Sequence, residues 1–312
     1  MITFQSIEQM LEAASESGLP LWECIQASDC RQQGVSAEVS WRRMSTLFET
    51  MAAADAGYRE EDRSHSGLSG GDGGKMARYG QETGDGSLCG GFFSEVIAGA
   101  LRMGECNACM KRIVAAPTAG ACGVIPAVLL PYQRRFGTAD ETMVQALYIA
   151  SGFGMIIAER AFISGAAGGC QAEIGSAAAM AAPALVFLQG GAGEQMAHAC
   201  AMALKNLLGL ACDPVGGLVE VPCVKRNVIG AMSALSAAQM ALAGIESRVP
   251  PDQVLDAMRR VGQSLPPSLR ETGRGGLAAT PFGQQYKPEG AGLLAIDLQK
   301  NTAKKHLQLN FR

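Results

Sequence analysis

The sequence predicts an all-α protein, a single large domain of closely packed Ala- and Gly-rich helices joined by Gly-rich loops. Three observations predict it. Beyond residue 92 the chain is a series of apolar, Ala-rich segments separated by short Gly/Pro punctuation, and Ala is the best helix former. Alternating β-branched patterns of the kind that make half-buried strands are scarce. Hydrophobic residues make up 48% of the 312 residues and charged residues only 18%, against a usual charged share of about 25%, so a large core can be buried.

The first helix starts at Ser6, where Ser6 and Gln9 have capping-box spacing and Ile7, Met10 and Leu11 begin an apolar stripe. Gly18 and Pro20 stop it. The next predicted helix follows Ser36, with Trp41, Met44, Leu47, Phe48 and Met51 at helical spacing. Residues 63–91 are rich in Gly, Ser and Asp and read as one long loop, which an ordered domain seldom carries without a functional reason. Further helices are expected over 93–103, 122–130, 141–163, 174–188, 194–208 and 227–244. Pro251 at a first helical position opens another over 252–261. Residues 263–292 are again Gly/Pro-rich, and 293–312 form a polar tail. The chain is accordingly divided into N-terminal helices (1–62) packing on a central region (63–292) and the tail (293–312), all expected to belong to one structural domain.

Composition narrows the function classes. The 39 glycines follow no triplet period, which excludes collagen. A net charge of −3 and 5% aromatics give no footprint for nucleic acid. The apolar run 174–188 is shorter than the roughly 20 residues that span a bilayer, and the run 143–157 ends at Glu159 and Arg160, so buried helices rather than membrane spans are expected. The N-terminus has neither a basic n-region nor an apolar h-region. Ten cysteines are therefore expected to stay reduced, in a cytoplasm, as core residues, ligands or reactive thiols.

Those cysteines differ in setting. Cys200 lies in a helical run and reads as core; Cys24, Cys30 and Cys89 have uninformative neighbours; Cys122 sits in a turn-like segment. Cys106 and Cys109 form a CxxC pair, but without the βαβ context of a redox motif or a second pair for zinc. Cys170, Cys212 and Cys223 stand at breaks in the helical pattern, in GGCQ, ACDP and VPCV. Irregular backbone would let three such thiolates turn toward one centre, although their spacing alone specifies no metal, and scattered core cysteines would show the same pattern.

The stretches SHSGLSGGDGGK, RIVAAPTAGACGVIPAVLL, GGCQAEIGSAAAMAAPALVFLQGG, HACAMALKNLLGLACDPVGGLVEVPCVKRN and LRETGRGGLAATP lie between residues 64 and 282. Through them the chain resembles the α subunit of the two-subunit, iron–sulfur-dependent bacterial L-serine dehydratases. The resemblance implies that Cys170, Cys212 and Cys223 hold a [4Fe–4S] cluster, leaving one iron without a protein ligand. It implies conversion of L-serine to pyruvate and ammonia, and a separate β subunit as partner in an oligomer. The Gly-rich loops are natural donors for a substrate carboxylate: Ser64, Ser66, Ser69, Gly70 and Gly71 in one, Thr118, Ala119 and Gly120 in the other. His65 and His198 are the candidate bases, with Lys75 and Lys205 as further possibilities, and Arg226 is a candidate bidentate partner for the carboxylate. The CxxC pair and the segment after Phe282 match no motif of the family. Three other readings compete: an L-cysteine desulfidase of the same chemistry, a pyridoxal-phosphate dehydratase, which needs a Schiff-base lysine and usually an α/β fold, and a non-catalytic helical subunit.

Overall fold

The most apolar stretch, 174–188, becomes the central helix, and the rest is arranged around it. The computed structural model describes residues 4–287, which contain α-helices, short 3-10 turns and no β-strand. In chain order the helices are α1 (Ile7–Ser17), α2 (Leu21–Gln33), α3 (Ala37–Ala56), α4 (Asp72–Thr83), α5 (Gly90–Ala108), α6 (Val124–Phe136), α7 (Asp140–Arg160), α8 (Gly165–Gly168), α9 (Ile174–Leu188), α10 (Gly193–Lys205), α11 (Cys223–Leu242), α12 (Pro251–Ser264) and α13 (Pro281–Gln284). The all-α expectation holds, and the predicted tail, 293–312, lies outside the described residues.

Every residue of α9 from Ile174 to Val186 is buried. Its alanines let α6, α7, α10 and α11 pack closely around it, since small side chains shorten the distance between helix axes. By length and composition Asp140–Arg160 and Cys170–Leu188 could each cross a membrane, but 72% and 83% of their most apolar windows are buried by other helices. They are core helices.

The N-terminal helices pack on this core: α1 on α10 and α12, and α2 and α3 on α7. Trp22, Trp41 and Tyr148 form an aromatic cluster joining α2, α3 and α7, with Trp41 stacked on Tyr148 at 6.1 Å. Ser6 accepts from Gln9 N at 3.0 Å as its spacing predicts, but Gln9 Oε1 reaches back to Gln5 N, one residue beyond the usual capping-box partner.

Two expectations are corrected. Residues 21–33, which the periodicity passed over, form α2 between Pro20 and the left-handed C-cap Gly34 (φ 64°). The 63–91 segment is not one loop, because α4 runs through its glycines. That helix packs against α5 where a Cβ at Gly73 would stand 2.6 Å from Arg102 Cγ and one at Gly80 would stand 3.0 Å from Ser94 Cβ. Its first amides are taken up by a buried acid of α5: Asp72 N and Gly73 N donate to Glu105 at 2.8 and 3.1 Å, and Tyr58 Oη donates to the same carboxylate at 2.7 Å. The glycines lower intrinsic helix propensity, but they admit a packing and capping arrangement that outweighs it.

Candidate active site

Three backbone irregularities bring Cys170, Cys212 and Cys223 inward. Cys170 opens a 3-10 turn ahead of α9 and follows Gly169, whose φ of 78° is a conformation that favours glycine. A Cβ there would also strike Leu265 Cδ1 at 2.6 Å and Leu210 O at 2.9 Å. Cys212 forms an isolated parallel β-bridge with Arg270: Cys212 N donates to Leu269 O, and Glu271 N donates to Cys212 O, both at 2.8 Å. Cys223 is the first residue of α11, just after a cis Val221–Pro222 peptide.

Two fully buried amides fasten these loops together. Gln171 Nε2 donates to Gly168 O and Met258 O, its Oε1 accepts from Gly209 N, and its own amide donates to Leu210 O. It therefore ties the Cys170 turn to the segment leading into Cys212. Asn227 Nδ2 donates to Cys223 O and Gly120 O while its Oδ1 accepts from Gly123 N. That ties the 118–123 loop to the first turn of α11.

The three cysteines are 3%, 2% and 8% exposed. Burial above all pushes Cys170 up to about 12, with Glu173 adding to it. Cys212 and Cys223 are pushed higher still, first by burial and then by Glu173 and their fellow cysteines. Among the described residues, no group of three or more His, Cys, Asp or Glu side chains is gathered tightly enough for a single metal ion.

Glu173 is the acid at this centre. Thr118 Oγ1 donates to its Oε1 at 2.7 Å, and the Cys212 thiol lies 3.8 Å from its Oε2. Burial first, and the nearby Glu271 second, raise its carboxyl to about 7. Gly165 leaves room beside it, since a Cβ there would lie 2.7 Å from both Cys212 Sγ and Glu173 Oε2. Arg226 closes another side. Its Nη1 donates to Ala211 O at 2.7 Å and its Nη2 pairs with Asp213 at 2.9 Å. The guanidinium proposed for a substrate carboxylate is therefore already engaged by the cysteine loops.

The serine loop is drawn to the same region by another buried acid. Ser64 Oγ and Ser66 Oγ donate to one oxygen of Glu220, at 2.5 and 2.7 Å, three residues before Cys223. Ser69 is buried, its amide donating to Ser64 Oγ at 3.1 Å. Gly70 passes so close to Asp62 O that a Cβ would lie 2.2 Å from it, and Gly71 abuts the Arg63 guanidinium. Thr118, Ala119 and Gly120 border Glu173, with a Cβ at Gly120 falling 3.2 Å from its Oε1. His65 is exposed in the turn closed by Gly67 N donating to Ser64 O. His198 lies on α10, its Nδ1 accepting from Ser247 N at 3.4 Å in the α11–α12 loop, outside all three cysteine loops. Lys75 pairs with Asp72, and Lys205 donates to Ser247 O. Sequence reasoning missed Glu173, Glu220, Gln171 and Asn227. Their signal was a polar or acidic residue inside an otherwise apolar motif, GGCQAEIG, VEVPC and VKRN.

Fold and site together define an all-helical protein with a buried thiol–carboxylate centre assembled from loops far apart in sequence. A family described as serine dehydratase alpha chain matches residues 16–278. The chain belongs to that family. It is 45% identical over 284 residues to a probable L-serine dehydratase alpha chain of Bacillus subtilis, covering 91% of this chain and 94% of the relative. It is 38% identical to the L-serine dehydratase alpha chain of Peptoniphilus asaccharolyticus, covering 89% and 95%. Longer relatives also match: the L-serine dehydratase TdcG of Escherichia coli is 44% identical over 57% of this chain, which accounts for 40% of the relative.

Proposed function

We propose that this chain is the α subunit of an L-serine dehydratase that converts L-serine to pyruvate and ammonia, with Cys170, Cys212 and Cys223 holding a [4Fe–4S] cluster. The observation that carries the reading is three buried thiols set at three separate backbone breaks, with the Cys212 thiol 3.8 Å from the half-buried Glu173 carboxylate. It stands in a chain whose relatives are named L-serine dehydratase alpha chains.

The donor set suits such a group. Iron–sulfur clusters are held by cysteine thiolates, and Cys170, Cys212 and Cys223 would supply three of them. The desolvation that keeps the thiols protonated is relieved when a cationic centre replaces their protons. When bound, such a group would supply Lewis acidity toward the substrate's β-hydroxyl, a poor leaving group.

The chain's own residues do the rest. Glu173 Oε2 already faces the Cys212 thiol and can take the proton that ligation releases. Arg226, on α11 three residues after Cys223, holds the Ala211–Asp213 segment that carries Cys212, so we assign it a positioning role. Glu220 fixes Ser64 and Ser66 on either side of His65, and this exposed imidazole is our candidate for carrying the α-proton to solvent. Ser69, Gly70 and Gly71 with Thr118, Ala119 and Gly120 border the approach to the centre. His198, occupied by Ser247, is given no part in the chemistry. Loss of water then leaves aminoacrylate, which tautomerises to an imine and hydrolyses without further help.

The match to the longer relative takes up 40% of that protein, and a separate β subunit is proposed as the partner of this chain, in an oligomer. All ten cysteines are free in the structure, as a reducing cytoplasm would keep them. The reading is tested by preparing α with β in the absence of oxygen, measuring iron and sulfide, and following turnover of L-serine and L-cysteine in parallel. About four irons per α chain with turnover favouring serine supports it. Preference for cysteine would make the protein a desulfidase. Iron-free preparations that turn over serine, or borohydride trapping of a lysine-bound cofactor, would overturn it.

A further inference from the structure

A substrate carboxylate entering this centre meets negative groups. Glu173 lies 3.8 Å from the Cys212 thiol, and the Glu271 backbone amide donates to Cys212 O. Some cation must answer the incoming charge, and most nearby cations are engaged. Arg226 is held by Asp213 and Ala211. Lys75 and Lys225 both pair with Asp72. Arg63 donates to Glu60 O and Asp62 O.

Arg270 differs. It is the residue aligned with Cys212 in the parallel bridge, with φ −120° and ψ 69°. In a β pair, directly opposed side chains leave on the same face, and neighbouring strands lie about 5 Å apart. The Arg270 side chain therefore starts beside that of Cys212. Its Nε is buried and has no hydrogen-bond partner, and no ion pair to it occurs among the described residues. A buried guanidinium N–H left unpaired costs free energy unless a ligand fills it. The residue after it, Glu271, adopts a left-handed φ of 60°, a conformation that costs a non-glycine residue energy. The segment is thus held in an unfavourable backbone shape at its bridge to Cys212.

We propose that Arg270 is the residue that binds the substrate's carboxylate, through a forked pair of charge-assisted hydrogen bonds. The proposal rests on the serine dehydratase reading and adds to it the residue that selects an α-amino acid. A fork of this kind explains why the site needs an arginine at a bridge position, where the backbone fixes the start of the side chain, rather than a flexible lysine.

The test uses the oxygen-free holoenzyme, α with β, as wild type, R270Q and R270K. The probes are L-serine, 3-hydroxypropionate, which keeps the carboxylate and hydroxyl, and L-serinamide, which lacks the carboxylate. R270Q is expected to raise KM for serine roughly ten- to hundredfold, with a smaller fall in kcat, and to weaken 3-hydroxypropionate binding by the same factor. L-Serinamide binding and iron content should stay unchanged, and R270K should fall between. Unchanged KM, or equal weakening of serinamide, would overturn the proposal. So would loss of iron in both variants, which would make Arg270 a support for the Cys212 bridge. If the wild type fails to turn over serine, the functional reading fails, and calorimetric binding of 3-hydroxypropionate to wild type and R270Q still decides whether Arg270 holds a carboxylate.

Discussion

Replacing Gln171 by alanine would cut the fastening between the Cys170 turn and the segment that leads to Cys212. The side chain is 0% exposed and makes three hydrogen bonds, at 2.9, 3.2 and 2.9 Å. It fits because α12 presents Gly262, where a Cβ would come 3.1 Å from Gln171 Nε2. Truncation strands the Gly209 amide, a cost of about 1–3 kcal/mol, and removes two donations worth about 1 kcal/mol each. The void left by the missing side-chain atoms adds about 1 kcal/mol. The sum is about 5 kcal/mol, which at about 2 °C per kcal/mol for a large domain lowers the melting temperature by roughly 10 °C. Calorimetry of the oxygen-free apo chain measures this directly, and iron uptake measured alongside should fall as the two cysteine loops separate. A melting temperature within about 2 °C of wild type would show that the loops are held by something other than Gln171.

Other consequences follow from the same geometry. Cys170→Ser, Cys212→Ser and Cys223→Ser should each abolish iron retention, whereas Cys109→Ser should not; equal losses in all four by iron analysis would refute the ligand assignment. Gly165→Ala places a Cβ 2.7 Å from Cys212 Sγ and Glu173 Oε2, so iron loading should drop severely while circular dichroism stays helical. Burial, foremost, pushes Cys106 up to about 11, which leaves roughly one thiol in a thousand ionised at pH 8. Mass spectrometry after brief maleimide treatment at that pH should therefore find exposed Cys89 labelled well ahead of Cys106, with Cys106 gaining reactivity as pH rises toward its folded value; early labelling of Cys106 would contradict its burial.

How much of this was legible in the sequence depended on whether apolar periodicity or tertiary contact decided the outcome. The central helix was read with its observed bounds, 174–188, because nothing polar interrupts the run and a buried helix needs no polar face. The second helix was missed because its buried side includes Ser28 and Cys24 beside Ile25, which blurs the stripe, although Pro20 and Gly34 marked its ends. The fourth was missed because its stabilisation comes from Glu105 and Tyr58, distant in sequence, and no local pattern announces a carboxylate supplied by another helix. The cysteine trio was visible through backbone breaks and family resemblance. Arg226 was visible too, but its commitment to Asp213 was not, since an ion pair between loops has no signature in sequence.

The site uses one device repeatedly. Each Gly-rich segment sets donors on a carboxylate removed from solvent wholly or in part: Thr118 on Glu173, Ser64 and Ser66 on Glu220, and the α4 amides with Tyr58 on Glu105. Asp213 works the same way, accepting from Arg226 and from Leu277 N. A buried carboxylate without donors is costly and takes up a proton instead, so each acid and its loop hold one another in place. Gly-rich segments have little apolar surface to bury, and such latches give them fixed positions that packing alone would not. The same logic isolates Arg270: around a centre where acids and donors are matched, it is a guanidinium with a buried N–H still open, and a group matched to a substrate must be unmatched within the protein.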